Sequence, residues 1–243
     1  MTTLQSSLLN TGENLRHGIS TRPGGVSPRP LDLNLSLNVG DDPSNVQRNR
    51  ELFFGRLEIP LDQLAVPKQI HGGTVVCAES AGEYRACDAM VTNVRGVYLC
   101  VSVADCLPIL LHDPHKQVVA VVHAGWRGTV AQVTRNAVKE MRERFGSFPQ
   151  NIVAYIGSSA GACCYAVGED VAGKFDAKFI REGDGLIYVD LKGANVRQLI
   201  EAGVSALQID VSAYCTICNP KLFHSYRRDK EQSGRMMGVI GLG

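Results

Sequence analysis

Apolar residues in this chain fall into short, dense runs. Residues 97–103 and 107–111 read as buried strands interrupted only by Ala104-Asp105-Cys106, and residues 118–122 read as a third strand that stops at His123. Helical spacing follows: Val130, Val133, Ala137, Met141 and Phe145 share one face, opposite Arg135, Lys139, Glu140 and Arg142. That pattern predicts an amphipathic helix capped by Thr129 and stopped by Gly146. Further helices are expected from Ser44 through Asn49 and Phe53 to Gly55, over 169–179, and from Asp190 through Asn195 and Leu199 to Gly203. Residues 74–77, 151–156, 185–189 and the last apolar run read as extended. Residues 19–43, dense in Pro, Gly, Asn and Asp, read as loops and turns. Strands and helices alternate without a regular βαβ rhythm, so the expected fold class is α+β with mixed sheets.

Composition narrows the partners. Twenty-five basic against 24 acidic residues leave a formal charge of +1, which gives no reason to expect a nucleic-acid or membrane-surface partner. A small molecule is the better expectation, with no obligate protein partner implied. The first 18 residues lack a basic start and a continuous apolar core, and no apolar run approaches the roughly 20 residues of a membrane span. A cytoplasmic location is therefore expected, and the eight cysteines read as thiols, ligands or a nucleophile rather than disulfides.

Cys106 and His123 stand where strands end, a position that holds a side chain firmly yet leaves it accessible. His71, in KQIHGG, stands at a third strand edge. Zinc accepts thiolate and imidazole, and a catalytic site keeps a fourth position open, so these three residues would make a ligand set. The usual sequence signs of zinc are missing, however, because there is no His-Glu-x-x-His. A single His beside glycines is more often a turn residue, and spacing alone leaves its role open. Cys215-x-x-Cys218 is the one spaced pair and Cys163-Cys164 are adjacent; both are read as ordinary thiols in preference to a structural zinc site. His112 and His115 flank Asp113-Pro114, a turn composition, and are read as surface histidines. The small residues of GSSAGACC, at 157–164, permit close backbone approach but lack the Gly-Lys-Ser/Thr ending of a P-loop.

Beyond spacing, several segments carry a resemblance. STRPGGVS at 20–27, SLNVGD at 36–41, KQIHG at 68–72, ACDAMVTN at 86–93, ADCLPILL at 104–111, VHAGWRGT at 122–129, Cys215-Thr216 and HSYRRD at 224–229 resemble the YfiH-like laccase-domain proteins, also called peptidoglycan-editing-factor proteins. Ser158, Ala160 and Ala166 depart from the family's usual Pro, Ile and Glu in the loop after residue 156.

The resemblance implies one domain spanning 1–243, with stacked mixed sheets flanked by helices in α/β/β/α layers, a cysteine-hydrolase-like arrangement. It implies a metal held by His71, Cys106 and His123, zinc by preference and copper as the alternative, with those three as the catalytic residues. It also implies purine nucleoside phosphorolysis of adenosine, inosine and methylthioadenosine, with adenosine deamination as a second activity. Arg22, Asn38, Arg127 and Arg228 match family motifs and are the candidates for holding phosphate or nucleoside. Two other classes follow from the same residues. One is a cysteine hydrolase editing a peptidoglycan precursor, with Cys106 as nucleophile and His123 as its base. The other is a copper phenol oxidase, disfavoured because six histidines in the whole chain are few for several copper centres.

Overall fold

The computed structural model describes residues 2–10 and 14–243. The apolar runs form two six-stranded mixed sheets. The first has the order Thr3–Leu4, Leu15–Ser20, Met236–Leu242, Tyr98–Val103, Leu64–Pro67, Gly82–Tyr84. The second has the order Ile209–Val211, Val153–Ile156, Leu107–Asp113, Val118–Ala124, Ala89–Thr92, Val75–Cys77. Met236–Leu242, Leu107–Asp113 and Val118–Ala124 are buried along their whole length, which explains why they read as continuous apolar runs rather than alternating ones.

The sheets stack face to face. Leu99, Val101 and Ile240 of the first meet Met90, Leu110, Val119 and Val121 of the second in one apolar cluster. On the far side of the second sheet, Val122, Leu111 and Ile109 pack under Val133, Ala137 and Met141 of helix Val133–Phe145 and Leu199 of helix Leu191–Glu201. On the far side of the first, Phe53 and Phe54 of helix Pro43–Arg56 cover Tyr98, Cys100 and Val239. These layers are the expected α/β/β/α order. A three-stranded sheet, Ala166–Val167, Leu186–Val189, Ile180–Gly183, lies beside them.

Several local expectations shift. Asp42, not Ser44, caps the first long helix, and its carboxylate accepts the Ser44 N–H at 2.8 Å. Thr129 lies inside a short helix, Trp126–Val130, with its hydroxyl on the Gly125 carbonyl at 2.9 Å. The long helix starts afresh after Gln132, whose left-handed φ of 57° breaks the path. The single helix expected over 169–179 is two turns, Glu169–Ala172 and a 3-10 turn Ala177–Phe179, separated at Gly173. Leu15–Ser20 is a strand although its end falls in a region read as irregular.

Candidate metal centre

The centre follows from strand register. Leu107–Asp113 and Val118–Ala124 form an antiparallel hairpin with Pro108 opposite His123. Cys106, one residue before the first strand, is thereby brought to the end of the second. Ala89 pairs with Val122 on the other side, so Asp88, just before Ala89, lies beside His123. His71 comes from the turn that follows Leu64–Pro67. The ligand atoms of His71, Cys106 and His123 all lie within 4.8 Å of one another. The two imidazoles meet nearly perpendicular, 84° apart with centroids at 4.8 Å.

Asp88, which spacing did not single out, organises this group. It is fully buried, and its Oδ1 accepts the His123 Nδ1 proton at 2.8 Å and the His71 N–H at 2.8 Å. Its Oδ2 takes the N–H groups of Gly72 at 2.7 Å and Ile70 at 3.2 Å. Burial alone would raise this carboxyl's pKa, but the His123 bond and the amides outweigh it and hold it below the usual carboxylate range. With Nδ1 committed, His123 offers Nε2 to a metal, the carboxylate–histidine arrangement that fixes a ligand's tautomer and orientation. The amide clamp also accounts for the strained φ of 60° at His71.

Burial pushes the Cys106 thiol up, yet the charge of His123 and hydrogen bonds from both imidazoles bring it down from 9.0 to about 6. Burial pushes His123 down, while the Cys106 thiolate and Asp88 raise it from 6.5 to about 9. A thiolate beside two imidazoles is a soft and borderline donor set suited to zinc or copper. Gly125 closes in on it: a Cβ there would lie 2.9 Å from Cys106 Sγ and 3.5 Å from the His71 ring.

The expected substrate-binding residues separate into two groups. Arg22 is paired with Asp32 at 2.9 Å and donates to the Pro220 carbonyl at 3.0 Å. Arg228 is paired with Asp229 at 2.6 Å and donates to the carbonyls of Thr216, Ile217 and Phe223. Both are occupied in stitching loops. Asn38 is exposed, with its backbone N–H on Ser36 Oγ. Arg127 is exposed, with its guanidinium 4.3 Å from the Trp126 ring centroid. The neighbour of Arg228 has the more open position: Arg227 lies 5.0 Å over Tyr165 and, with Trp126, Ala166, Val167, Gly168, Val171 and Leu186, lines a cleft of about 250 Å³. Trp126, in the wall of this cleft, directly follows Gly125, whose backbone closes on Cys106, so the chain joins the cleft to the centre. Neither the Arg127 nor the Arg227 guanidinium forms an ion pair with a carboxylate among the described residues; Arg227 bonds Asp105 through its backbone N–H alone.

His115 is exposed as expected, but His112 is not a surface residue. It is 4 % exposed and neither ring nitrogen has a hydrogen-bond partner among the described residues, because it faces inward from the Leu107–Asp113 strand beside His17. Burial lowers its pKa to about 4, so it is a neutral core group. The remaining cysteines are free, and Cys163, Cys164, Cys215 and Cys218 converge with their sulfurs within 4.8 Å of one another, a meeting that spacing did not imply.

Stacked mixed sheets with a Cys-His-His donor set at the mouth of a strand hairpin define an α+β protein built around a candidate metal site. The chain belongs to the family described as multi-copper polyphenol oxidoreductase laccase, which it matches over residues 16–243. It is 41% identical over 231 residues to the purine nucleoside phosphorylase of Deinococcus radiodurans, covering 93% of this chain and 88% of that one. It is 35% identical over 236 residues to the adenosine deaminase RL5 of an unknown prokaryotic organism, covering 89% and 90%. The structure superposes on that of the Bacillus licheniformis hypothetical protein YfiH with a TM-score of 0.90 at 32% identity, covering 94% and 93%. The resemblance to YfiH-like proteins is borne out, and with it the fold of stacked mixed sheets. No helix among the described residues is long and apolar enough to cross a membrane.

Proposed function

We propose that this protein is a cytoplasmic zinc-dependent purine nucleoside phosphorylase, with adenosine deamination as a second activity of the same site. The observation that carries the metal is the lock between Asp88 and His123, which leaves Nε2 of His123 beside Cys106 and His71. The names of the relatives support the substrate class. Bound zinc supplies Lewis acidity, which lowers the pKa of a water toward neutrality or polarises a substrate oxygen.

The chain's own groups do the rest. In phosphorolysis a phosphate oxygen bonds to C1′ as the N-glycosidic bond breaks, and the bonding pair leaves with the base, which takes a proton. The positive charges of Arg127 and Arg227 suit the anionic phosphate, and the apolar walls of the adjoining cleft suit a purine. In deamination a water oxygen adds at C6 and ammonia departs.

A second reading has its own observation. Cys106 held as a thiolate, His123 holding the proton taken from it and Asp88 bonded to His123 also form a nucleophile, its proton acceptor and an orienting carboxylate. A copper oxidase is disfavoured, because among the described residues only one group of candidate ligands contains histidine.

Incubating zinc-loaded protein with inosine, with and without phosphate, tests the proposal. Hypoxanthine and ribose 1-phosphate should form only with phosphate. Base release that is equally fast without phosphate identifies a hydrolase instead, and activity that persists in fully zinc-depleted protein favours the cysteine reading.

A further inference from the structure

Four of the seven cysteines outside the centre meet in a way that ordinary thiols do not require. Cys163 and Cys164 lie in the loop after strand Val153–Ile156, and Cys215 and Cys218 in the loop after strand Ile209–Val211. Those strands are parallel neighbours, and the pairing continues past their ends in a bridge between Ser159 and Cys215. Strand pairing thus delivers two cysteines from each loop to one point. Cys218 Sγ lies 3.1 Å from Cys164 Sγ and 3.4 Å from Cys163 Sγ, and all four sulfurs fall within 4.8 Å of one another. A zinc ion bound to four thiolates at about 2.3 Å holds its sulfurs about 3.8 Å apart.

We propose that Cys163, Cys164, Cys215 and Cys218 form a second, structural metal site that takes one zinc ion as a tetrathiolate. The backbone is arranged for it. Cys215 Sγ accepts the Gly161 N–H at 3.3 Å and hydrogen bonds from the N–H groups of Ile217 and Cys218, two and three residues on in the Cys-x-x-Cys turn. These donors favour the thiolate over the thiol. Gly161 lacks a side chain where one would crowd the cluster: a Cβ there would lie 3.2 Å from Cys215 Cβ and 3.4 Å from Cys163 Sγ. Lys192, bonded to the carbonyls of Ser212 and Tyr214, is within electrostatic reach of Cys163 and Cys215 and offsets part of the negative charge. Cys163 and Cys218 are exposed, which gives the ion a route in. Binding forms four Zn–S bonds and releases the thiol protons to solvent.

The site has a consequence for the first centre. Asp105, directly before Cys106 and at a left-handed φ of 87°, is held from both stapled loops: its carbonyl accepts the Ala160 N–H at 2.9 Å, and its Oδ1 accepts the Thr216 hydroxyl at 2.6 Å. Oδ2 takes the Arg227 N–H at 2.6 Å. A metal that ties the two loops together therefore fixes the turn that presents Cys106.

Elemental analysis of the full-length protein, purified reduced and loaded with zinc, should find two zinc ions per chain. Cys163→Ser/Cys218→Ser should lose one, and His71→Ala/His123→Ala should lose the other, so failure at either site is read separately. Cobalt provides a spectroscopic check. The unmodified chain loaded with two equivalents should show the intense sulfur-to-cobalt charge transfer of a tetrathiolate, and that band should remain in His71→Ala/His123→Ala. One zinc per chain with that band absent overturns the proposal. So does a Cys164–Cys218 or Cys163–Cys218 disulfide found by mass mapping of protein purified under reductant, or iron with acid-labile sulfide in place of zinc.

Discussion

Asp88 grips His123 twice: its Oδ1 takes the Nδ1 proton at 2.8 Å, and its backbone carbonyl takes the His123 N–H at 2.7 Å. The backbone contact belongs to the strand pairing and would survive substitution of the side chain. The side-chain contact sets which imidazole nitrogen faces Cys106.

Asp88→Asn therefore separates the two. The amide keeps the size of the carboxylate but removes its charge, and it cannot serve every amide of residues 70–72 as well as the ring. Zinc affinity should fall about 10–100-fold, the usual effect of losing a partner behind a ligand. Competition against a chromophoric chelator measures this. Unchanged affinity would show that His123 is oriented without the carboxylate.

Gly125→Ala should act on the same centre by steric means. The added methyl would start 2.9 Å from Cys106 Sγ, closer than a carbon and a sulfur can rest, and the short helix beginning at Trp126 leaves the backbone little room to retreat. The thiolate is then displaced from the imidazoles. Zinc occupancy should drop below that of the unmodified chain, while thermal unfolding of the metal-free proteins differs by only a few degrees. Full occupancy in the variant would mean that the loop yields.

The two neighbouring arginines, Arg227 and Arg228, should part company. Arg228→Ala removes an ion pair and leaves the carbonyls of Thr216, Ile217 and Phe223 without their donor, a loss of about 1–3 kcal/mol. In a chain of this length that is a fall of very roughly 2–12 °C in unfolding temperature. Arg227→Ala loses only the contact with Tyr165 and an exposed charge at the cleft. It should raise KM for phosphate several-fold with little change in unfolding temperature. The reverse pattern would return the binding role to Arg228.

How much of this was legible beforehand follows from sequence distance. The strands around Cys106 and His123 could be read because dense apolar runs mark fully buried strands wherever they occur. Asp88 could not, since a lone carboxylate lies 17 residues from His71 and 35 from His123 and acquires meaning only when Ala89 pairs with Val122. The cysteine cluster was missed for the same reason: Cys164 and Cys218 are 54 residues apart and are joined by parallel strand pairing that spacing does not encode. The sequence places His112 at the surface because its Asp-Pro neighbours mark the turn that follows, whereas its own position is still inside the strand. Motif alone favours Arg228 over Arg227, and only the contacts tell which of two adjacent arginines is occupied.

Whether Cys106 serves as ligand or nucleophile is decided by when it reacts. With zinc bound, its charge is shared with the metal, and iodoacetamide should modify it slowly. After chelation the thiolate stands free beside His123, and because its pKa is lowered from 9.0 to about 6 it should remain reactive across neutral pH. The sign follows: the alkylation rate of metal-free protein should be flat above about pH 7 and fall as pH drops through about 6, where the thiolate takes up its proton. An ordinary thiol would instead lose reactivity below about 9. Chelation should abolish turnover, and zinc should restore it before alkylation but not after, with peptide mass mapping to locate the adduct at Cys106. If metal-free protein keeps full activity and loses it only on alkylation, Cys106 is the nucleophile. The Asp88–His123 pair would then orient a base rather than a ligand.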